Sequence, residues 1–206
     1  MGLSIEQEKE LMQHSNEKAI ILFGNSSHSF NWVDINNYNG TYMATKYMIE
    51  RGYKNIGFIG IDNEMEYPIE RHQGYIDCME QFGMQIPRYA DVKVPNHEED
   101  GYKVTSEIWD QATVDGLVCA SDVLALGVMR YANEKDISVP DELGVMGFDG
   151  LGYEKLVTPN LSTIQQPVYE AGKALAERMI EVLKSGEYSE TEMFIEPILR
   201  VNGSTK

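Results

Sequence analysis

The feature that most restricts the fold is a regular alternation of strand-like and helix-like segments along most of the chain. Residues 38–51 have helical spacing, with Met43, Ala44, Tyr47 and Met48 on one face, and Gly52 stops the helix. Residues 54–61, "KNIGFIGI", are a strand, and 68–82 a helix opened by Pro68. A short strand at 90–94 precedes a helix at 98–111, a strand at 115–120 and a helix at 122–133. Strands at 143–148 and 161–165 follow. The helix at 167–184 carries Val168, Ala171, Leu175, Met179 and Val182 at near-helical spacing, and short strands at 193–195 and 198–201 close the chain. Helices of this length between strands predict right-handed crossovers: an α/β fold with parallel, doubly wound sheets covered on both faces.

In such sheets, ligands sit beyond the carboxyl ends of the strands. Those ends are residues 61–66, 95–97, 121–122 and 148–152, and each is polar. In "LVCASDVLALG" a buried strand runs straight into Ser121 and Asp122. Ser121 suits a helix N-cap, and an acid in the first turn favours the helix dipole, so both have a purely structural reading. Arg71, early in its helix, reaches the same rim or pairs on the surface with Glu66 or Glu70. Asp149, in "GFDG", is a rim acid or a turn residue bonded to its own backbone. Convergence of a hydroxyl, an acid and an arginine from separate strand ends favours a shared site.

Charge narrows the partners. With 17 Lys plus Arg against 33 Asp plus Glu, the net charge is −16. Such a chain repels phosphate, so these residues are not expected to grip DNA or an anionic membrane themselves. No apolar run reaches the roughly 18 residues of a membrane span, and the acidic start lacks the apolar core of a secretory leader. Cys78 and Cys119 sit apart in apolar patterns, which fits a reduced, cytoplasmic protein better than a disulfide framework. No G-x-G-x-x-G, phosphate loop or G-x-S-x-G occurs. His14, His28, His72 and His97 show no metal-ligand spacing, and Cys119 reads as a buried thiol rather than a nucleophile. An enzyme on a doubly wound fold is therefore the weakest reading, and no metal or cofactor is expected.

Several phrases together resemble the effector-binding core of LacI/GalR-type bacterial transcription regulators. They are "NGTYMATKYMIERGYKNIGFIG", "ERHQGYIDCMEQFGM", "VDGLVCASDVLALGVMRYANEKDISVPDELGVMGFDG", "LVTPNLSTIQQP" and "ILRVNGST". The resemblance implies a type I periplasmic-binding-protein-like fold, in which two α/β lobes clamp a small molecule and the chain crosses between them three times. Residues 1–35 and 167–193 would be a remnant of the N-terminal lobe, with strands at 18–24 and 32–35, and 38–164 with 197–206 the C-terminal lobe. The DNA-binding head and the first part of the first lobe have no counterpart, which would leave strand edges and apolar faces uncovered. By the same resemblance Arg71, Asp149, Ser121, Tyr67, Asn96, Gln166 and Phe23 would contact the effector. Ser121 would face the cleft while Asp122 mainly starts its helix, and Asn96 stands where many members have an aromatic platform. The implied effector is a sugar or derivative, with a nucleobase next. The implied assembly is a homodimer that uses the helix after Ser121 and the loop at Leu156 and Val157, and DNA is reached only through the missing head. A transport binding protein of the same fold is the alternative.

Overall fold

The computed structural model describes residues 3, 5–13, 20–25, 30–185 and 192–206. In chain order the elements are α1 (Ile5–Met12), β1 (Ile21–Phe23), β2 (Asn31–Ile35), α2 (Asn37–Glu50), β3 (Ile56–Ile61), α3 (Glu66–Gln81) and β4 (Asp91–Val94). Then come α4 (Glu98–Gln111), β5 (Gly116–Cys119), α5 (Asp122–Glu134), β6 (Gly144–Asp149), β7 (Ser162–Gln165), α6 (Val168–Ser185), β8 (Glu192–Ile195) and β9 (Ile198–Arg200). A single 3-10 turn, Tyr153–Lys155, lies between β6 and β7. Helix α1 has no counterpart in the sequence reading. It is only two turns long, and its apolar partners, Leu22, Phe30 and Trp32, come from later in the chain. Residues 18 and 19 of the expected strand at 18–24 lie outside the described residues.

The strands form two sheets. The larger runs β4-β3-β5-β6-β7-β9, parallel throughout except for β9. The smaller runs β1-β2-β8, all parallel. The chain thus leaves the larger sheet after β7, adds β8 to the smaller one, and returns at once as β9. Strand β1 has one partner strand, so its other edge is unpaired among the described residues. Exposed apolar side chains lie on the same sheet and the helix packed against it: Met193 and Phe194 on β8, Ile180 and Leu183 on α6.

The larger sheet is doubly wound. Helices α2 and α3 pack together, as do α4 and α5, and right-handed crossovers put the two pairs on opposite faces. Continuous apolar strands such as "IGFIGI", every residue of it buried, are what a sheet covered on both sides requires. Asn36 starts α2 one residue before the expected boundary, because its side chain accepts from the Asn39 N–H at 3.0 Å. The closing "NGST" is a lock on this sheet: Ser204 Oγ donates to Val145 O at 2.6 Å and accepts from Ser162 N at 2.7 Å.

Helices α4 and α5 approach through glycine. A Cβ on Gly127 would fall inside van der Waals distance of Glu98 O and Tyr102 N, and one on Gly101 would meet Leu124 O. In an isolated helix, Gly127→Ala would stabilise by about 1 kcal/mol. Here the added methyl meets backbone that has nowhere to go, and such overpacking costs about 1–3 kcal/mol or more. Urea unfolding of Gly127→Ala is expected to show a net loss of stability; a gain would mean that α4 and α5 separate freely.

Candidate functional site

The order β4-β3-β5 places the reversal of strand order between β3 and β5, where doubly wound sheets open a crevice. Arg71 fills that position. It projects from the second turn of α3 and is 3% exposed. Its Nε donates to Asn37 Oδ1 at 2.9 Å, and its Nη1 to the Ala120 carbonyl at 2.6 Å. Nη1 also lies 3.3 Å from Asp149 Oδ1. The guanidinium carbon stands 3.6 Å from the Phe148 ring centroid and 5.0 Å from that of Tyr67. Neither Glu66 nor Glu70 forms an ion pair with it, so the surface-pair reading does not hold.

Asp149 ends β6 with φ 127°, a conformation unusual for a residue with a side chain, and Gly150 follows with φ 65°. The Asp149 carboxylate also accepts from Gln166 Nε2 at 2.6 Å, and its carbonyl accepts from Gln166 N at 2.9 Å. Arg71, Asp149, Gln166 and Tyr67 therefore form one cluster. Among the described residues, Arg71 Nη2 and Asp149 Oδ2 have no hydrogen-bond partner.

Ser121 and Asp122 differ from expectation. Ser121 is fully enclosed and is itself the cap: its Oγ accepts from Leu124 N at 3.2 Å and donates to Asn96 Oδ1 at 2.6 Å. Its single hydroxyl is thus spent on the helix and on Asn96, leaving Asn96, exposed on the rim, with its amide NH2 free of partners among the described residues. Asp122 is not chiefly a helix starter. It is equally enclosed, accepts from Gly150 N at 2.8 Å and from Thr163 Oγ1 at 2.6 Å, and ties three elements together. Phe23 ends β1 in the other sheet, half-buried, and no hydrogen bond or ring contact joins it to the Arg71 cluster among the described residues.

Four residues, of which the sequence reading named only Glu70, link the two sheets beside Arg71. Asn25 N donates to Asp34 Oδ2 at 2.9 Å, and Asn25 Nδ2 to Glu70 Oε1 at 3.2 Å. Asn37 Nδ2 reaches Glu70 Oε2, also at 3.2 Å. Only the adjacency of Glu70 to Arg71 hinted at this from sequence.

The acids here are held up by burial. Desolvation raises the carboxyls of Asp34, Glu70 and Asp149, and Asn25, Asn37 and Arg71 draw them only partly back. Arginine does not release its proton, so Arg71 favours the charged form of Asp149 against that burial. Asp122 is pushed up to about 7, by burial first, against the hydrogen bonds from Thr163 and Gly150.

The profile described as "Periplasmic binding protein-like domain" matches residues 45–205. The chain belongs to that family. This periplasmic binding protein-like domain is 30% identical over 190 residues to the uncharacterized HTH-type transcriptional regulator YvdE of Bacillus subtilis, covering 92% of this chain and 59% of that protein. It is 31% identical over 171 residues to the HTH-type transcriptional repressor PurR of Pasteurella multocida, covering 82% of this chain and 51% of the repressor. The domain thus spans just over half the length of these relatives. Its fold is shared with a LacI family transcriptional regulator from Enterococcus faecium with bound ribose: TM-score 0.84, 22% identity, 98% of this chain and 76% of that one. No described helix of the domain is long and apolar enough to cross a membrane.

A carboxyl raised by burial binds its proton more tightly in the folded state than in the unfolded one. Its stabilisation is complete below the unfolded value and is lost as pH rises through the folded value. The rise of Asp122 from the ordinary 3.8 to about 7 sets the window. Unfolding free energy measured in urea is expected to fall between about pH 5 and pH 7 and to level off above that; a constant or rising value from pH 5 to pH 7 would show that Asp122 is not held up by burial.

Proposed function

We propose that this chain is the effector-sensing part of a LacI/GalR-type bacterial transcriptional regulator. The observation that carries the reading is the buried Arg71–Asp149–Gln166 cluster at the crevice, with Nη2 of the arginine and Oδ2 of the acid unused. Together with the Asn96 amide and the Tyr67 ring, it offers donors and acceptors within one small space. That mixture suits a polyhydroxylated molecule, whose hydroxyls both give and accept hydrogen bonds. A sugar or sugar derivative is the proposed effector. The ribose bound by the Enterococcus faecium regulator supports the class, not the identity. A nucleobase is the second reading. It is weakened by Asn96, an exposed amide where a stacking ring would serve a base better. Names such as "HTH-type transcriptional regulator" among the relatives favour a regulator over a transport protein and over an enzyme.

The two sheets with their helices are taken as two lobes. The smaller comprises residues 1–35 and 167–193, and the larger residues 38–164 and 197–206. Effector bound between them would bias their relative angle, and DNA would be contacted by a separate helix-turn-helix head. Such coupling requires that the effector prefer one of two arrangements. The acidic balance and two buried free cysteines fit a reducing cytoplasm.

A homodimer is proposed through the larger lobe. A groove of about 430 Å³ is lined by Leu126, Met129, Arg130, Leu156 and Val157. Leu156 is 70% exposed, whereas Met129 is nearly all buried and contributes only the groove's floor. A second copy of the same face would cover Leu156.

Two measurements test these readings. In a thermal-shift screen of sugars, nucleosides and nucleobases, a sugar is expected to raise the melting temperature. Arg71→Ala is expected to weaken its binding by about 2–4 kcal/mol; undiminished affinity would remove Arg71 from the site. Leu156→Asp is expected to shift a dimer toward monomer in sedimentation velocity, and an unchanged distribution would place the interface elsewhere.

A further inference from the structure

Asp149 presents its carboxylate from a backbone conformation that residues with side chains rarely adopt. Such a conformation is strained and lasts only where neighbours over-determine it. The peptide that follows is held from one side: the Gly150 N–H donates to Asp122 Oδ2 at 2.8 Å. The other oxygen of Asp122 takes Thr163 Oγ1 at 2.6 Å, on the strand that leads to the crossing at Gln165 and Gln166. Strand β6 closes the third side. A Cβ at Gly147 would collide with Asp122 Oδ1, so only glycine admits the carboxylate there. Asp122 makes no contact with Arg71 or with the crevice.

We propose that Asp122 is the positioning residue of the effector site, a buried strut that fixes the Asp149–Gly150 turn through the Gly150 N–H and Thr163 Oγ1. The inference rests on the effector reading for Asp149, but the strut itself does not. The chemistry of the strut tolerates either charge state. As a carboxylate, Asp122 accepts both hydrogen bonds. Protonated on Oδ1, it donates to Thr163 Oγ1, which reverses that bond, while Oδ2 still accepts from Gly150. The charged groups acting on Asp122 are Asp149 at the end of β6 and Glu154 in the 3-10 turn, both acids, and the Cys119 thiol lies beside it on β5. With burial they bring its proton loss to about pH 7. A compound that excludes water from Asp149 would strengthen the repulsion between the two acids and draw a proton onto Asp122. Binding should then weaken as pH rises through neutrality.

The test needs no effector to begin. In amide NMR of the whole chain, the Gly150 N–H is expected to exchange slowly and its shift to titrate near pH 7. Asp122→Asn keeps an oxygen for Gly150 and a donor for Thr163. It should retain slow exchange and abolish the titration. Asp122→Ala should speed Gly150 exchange about 100-fold while β3 and β5 stay protected. Thr163→Val, which removes one of the two bonds, should fall between them and serves if Asp122→Ala does not fold. Unchanged Gly150 exchange in Asp122→Ala, or in Thr163→Val where the alanine variant is unfolded, would overturn the strut, as would an asparagine variant that opens the turn. D-ribose, D-glucose and adenine are then titrated at pH 6 and pH 8. A compound that binds should lose about threefold in affinity over that range in the native chain and nothing in Asp122→Asn; equal pH dependence in both would overturn the coupling. Failure of all three to bind counts against the effector reading and leaves the strut to the NMR result.

Discussion

A guanidinium that is 3% exposed is the constraint around which the larger sheet is arranged. Removing such a charge from water costs several kcal/mol unless acceptors meet it inside. Here they come from three elements: Asn37 from the first turn of α2, the Ala120 carbonyl from the end of β5, and Asp149 from the end of β6. Phe148 supplies the ring against which the guanidinium stacks. These groups converge only if β3, β5 and β6 are neighbours, point the same way, and stop at the same level. The pairing register meets that condition, with Ile56 opposite Gly116 and Gly116 opposite Gly144. Fold and site are thus one requirement: a different strand order would leave Arg71 charged and unmatched in the interior.

The same logic explains what could be seen in the sequence. Long elements with clean periodicity, such as 98–111, carry their own signal and appear where the spacing puts them. Arg71 was legible because the first turns of a helix that follows a strand must overhang that strand's carboxyl end. Asp122 was not. A carboxylate after a capping serine looks the same from sequence whether it faces solvent or a sealed pocket. What seals this one, Gly147 and Thr163, lies far along the chain. Helix α1 escaped for a related reason: eight residues give too few repeats of the apolar pattern, and its partners arrive later in the chain. The link through Asn25, Asp34 and Glu70 crosses between sheets and leaves no local trace.

The site is mechanically uneven. Its Asp149 wall is anchored by buried or partly buried hydrogen bonds: Gly150 to Asp122, Thr163 to Asp122, and Gln166 back to Asp149. The bonds that join the two sheets are more exposed. Asn36 and Asn39 each reach Glu196 beside the returning crossing, in solvent, and Asn25 reaches Glu70 at a partly buried mouth. Exposed hydrogen bonds exchange readily with water and are worth about 1 kcal/mol or less net. On the proposed two-lobe reading, a change of angle between the sheets would trade these outer bonds for water at small cost, while the Arg71 cluster would move as a unit.

On the proposed reading, that unevenness is what an effector sensor requires. A ligand shifts a two-state equilibrium only by its difference in affinity for the two arrangements, so a uniformly soft crevice would fit it equally well in both. Against a fixed wall, a displacement of the opposite wall makes or breaks hydrogen bonds to the ligand. Glu70 sits at that boundary. It is adjacent in sequence to Arg71, yet its carboxyl is shared between Asn37 on its own side and Asn25 from the smaller sheet. Burial holds it above the usual carboxylate range, and Asp34 across the mouth pushes the same way. Opening the mouth would hydrate both acids and relieve that strain, whereas closing it over a polar molecule replaces the lost water with the ligand's own hydroxyls. On the proposed reading, the balance between two such arrangements would be set by polar chemistry at the crossings, because the apolar cores on either side would stay intact in both.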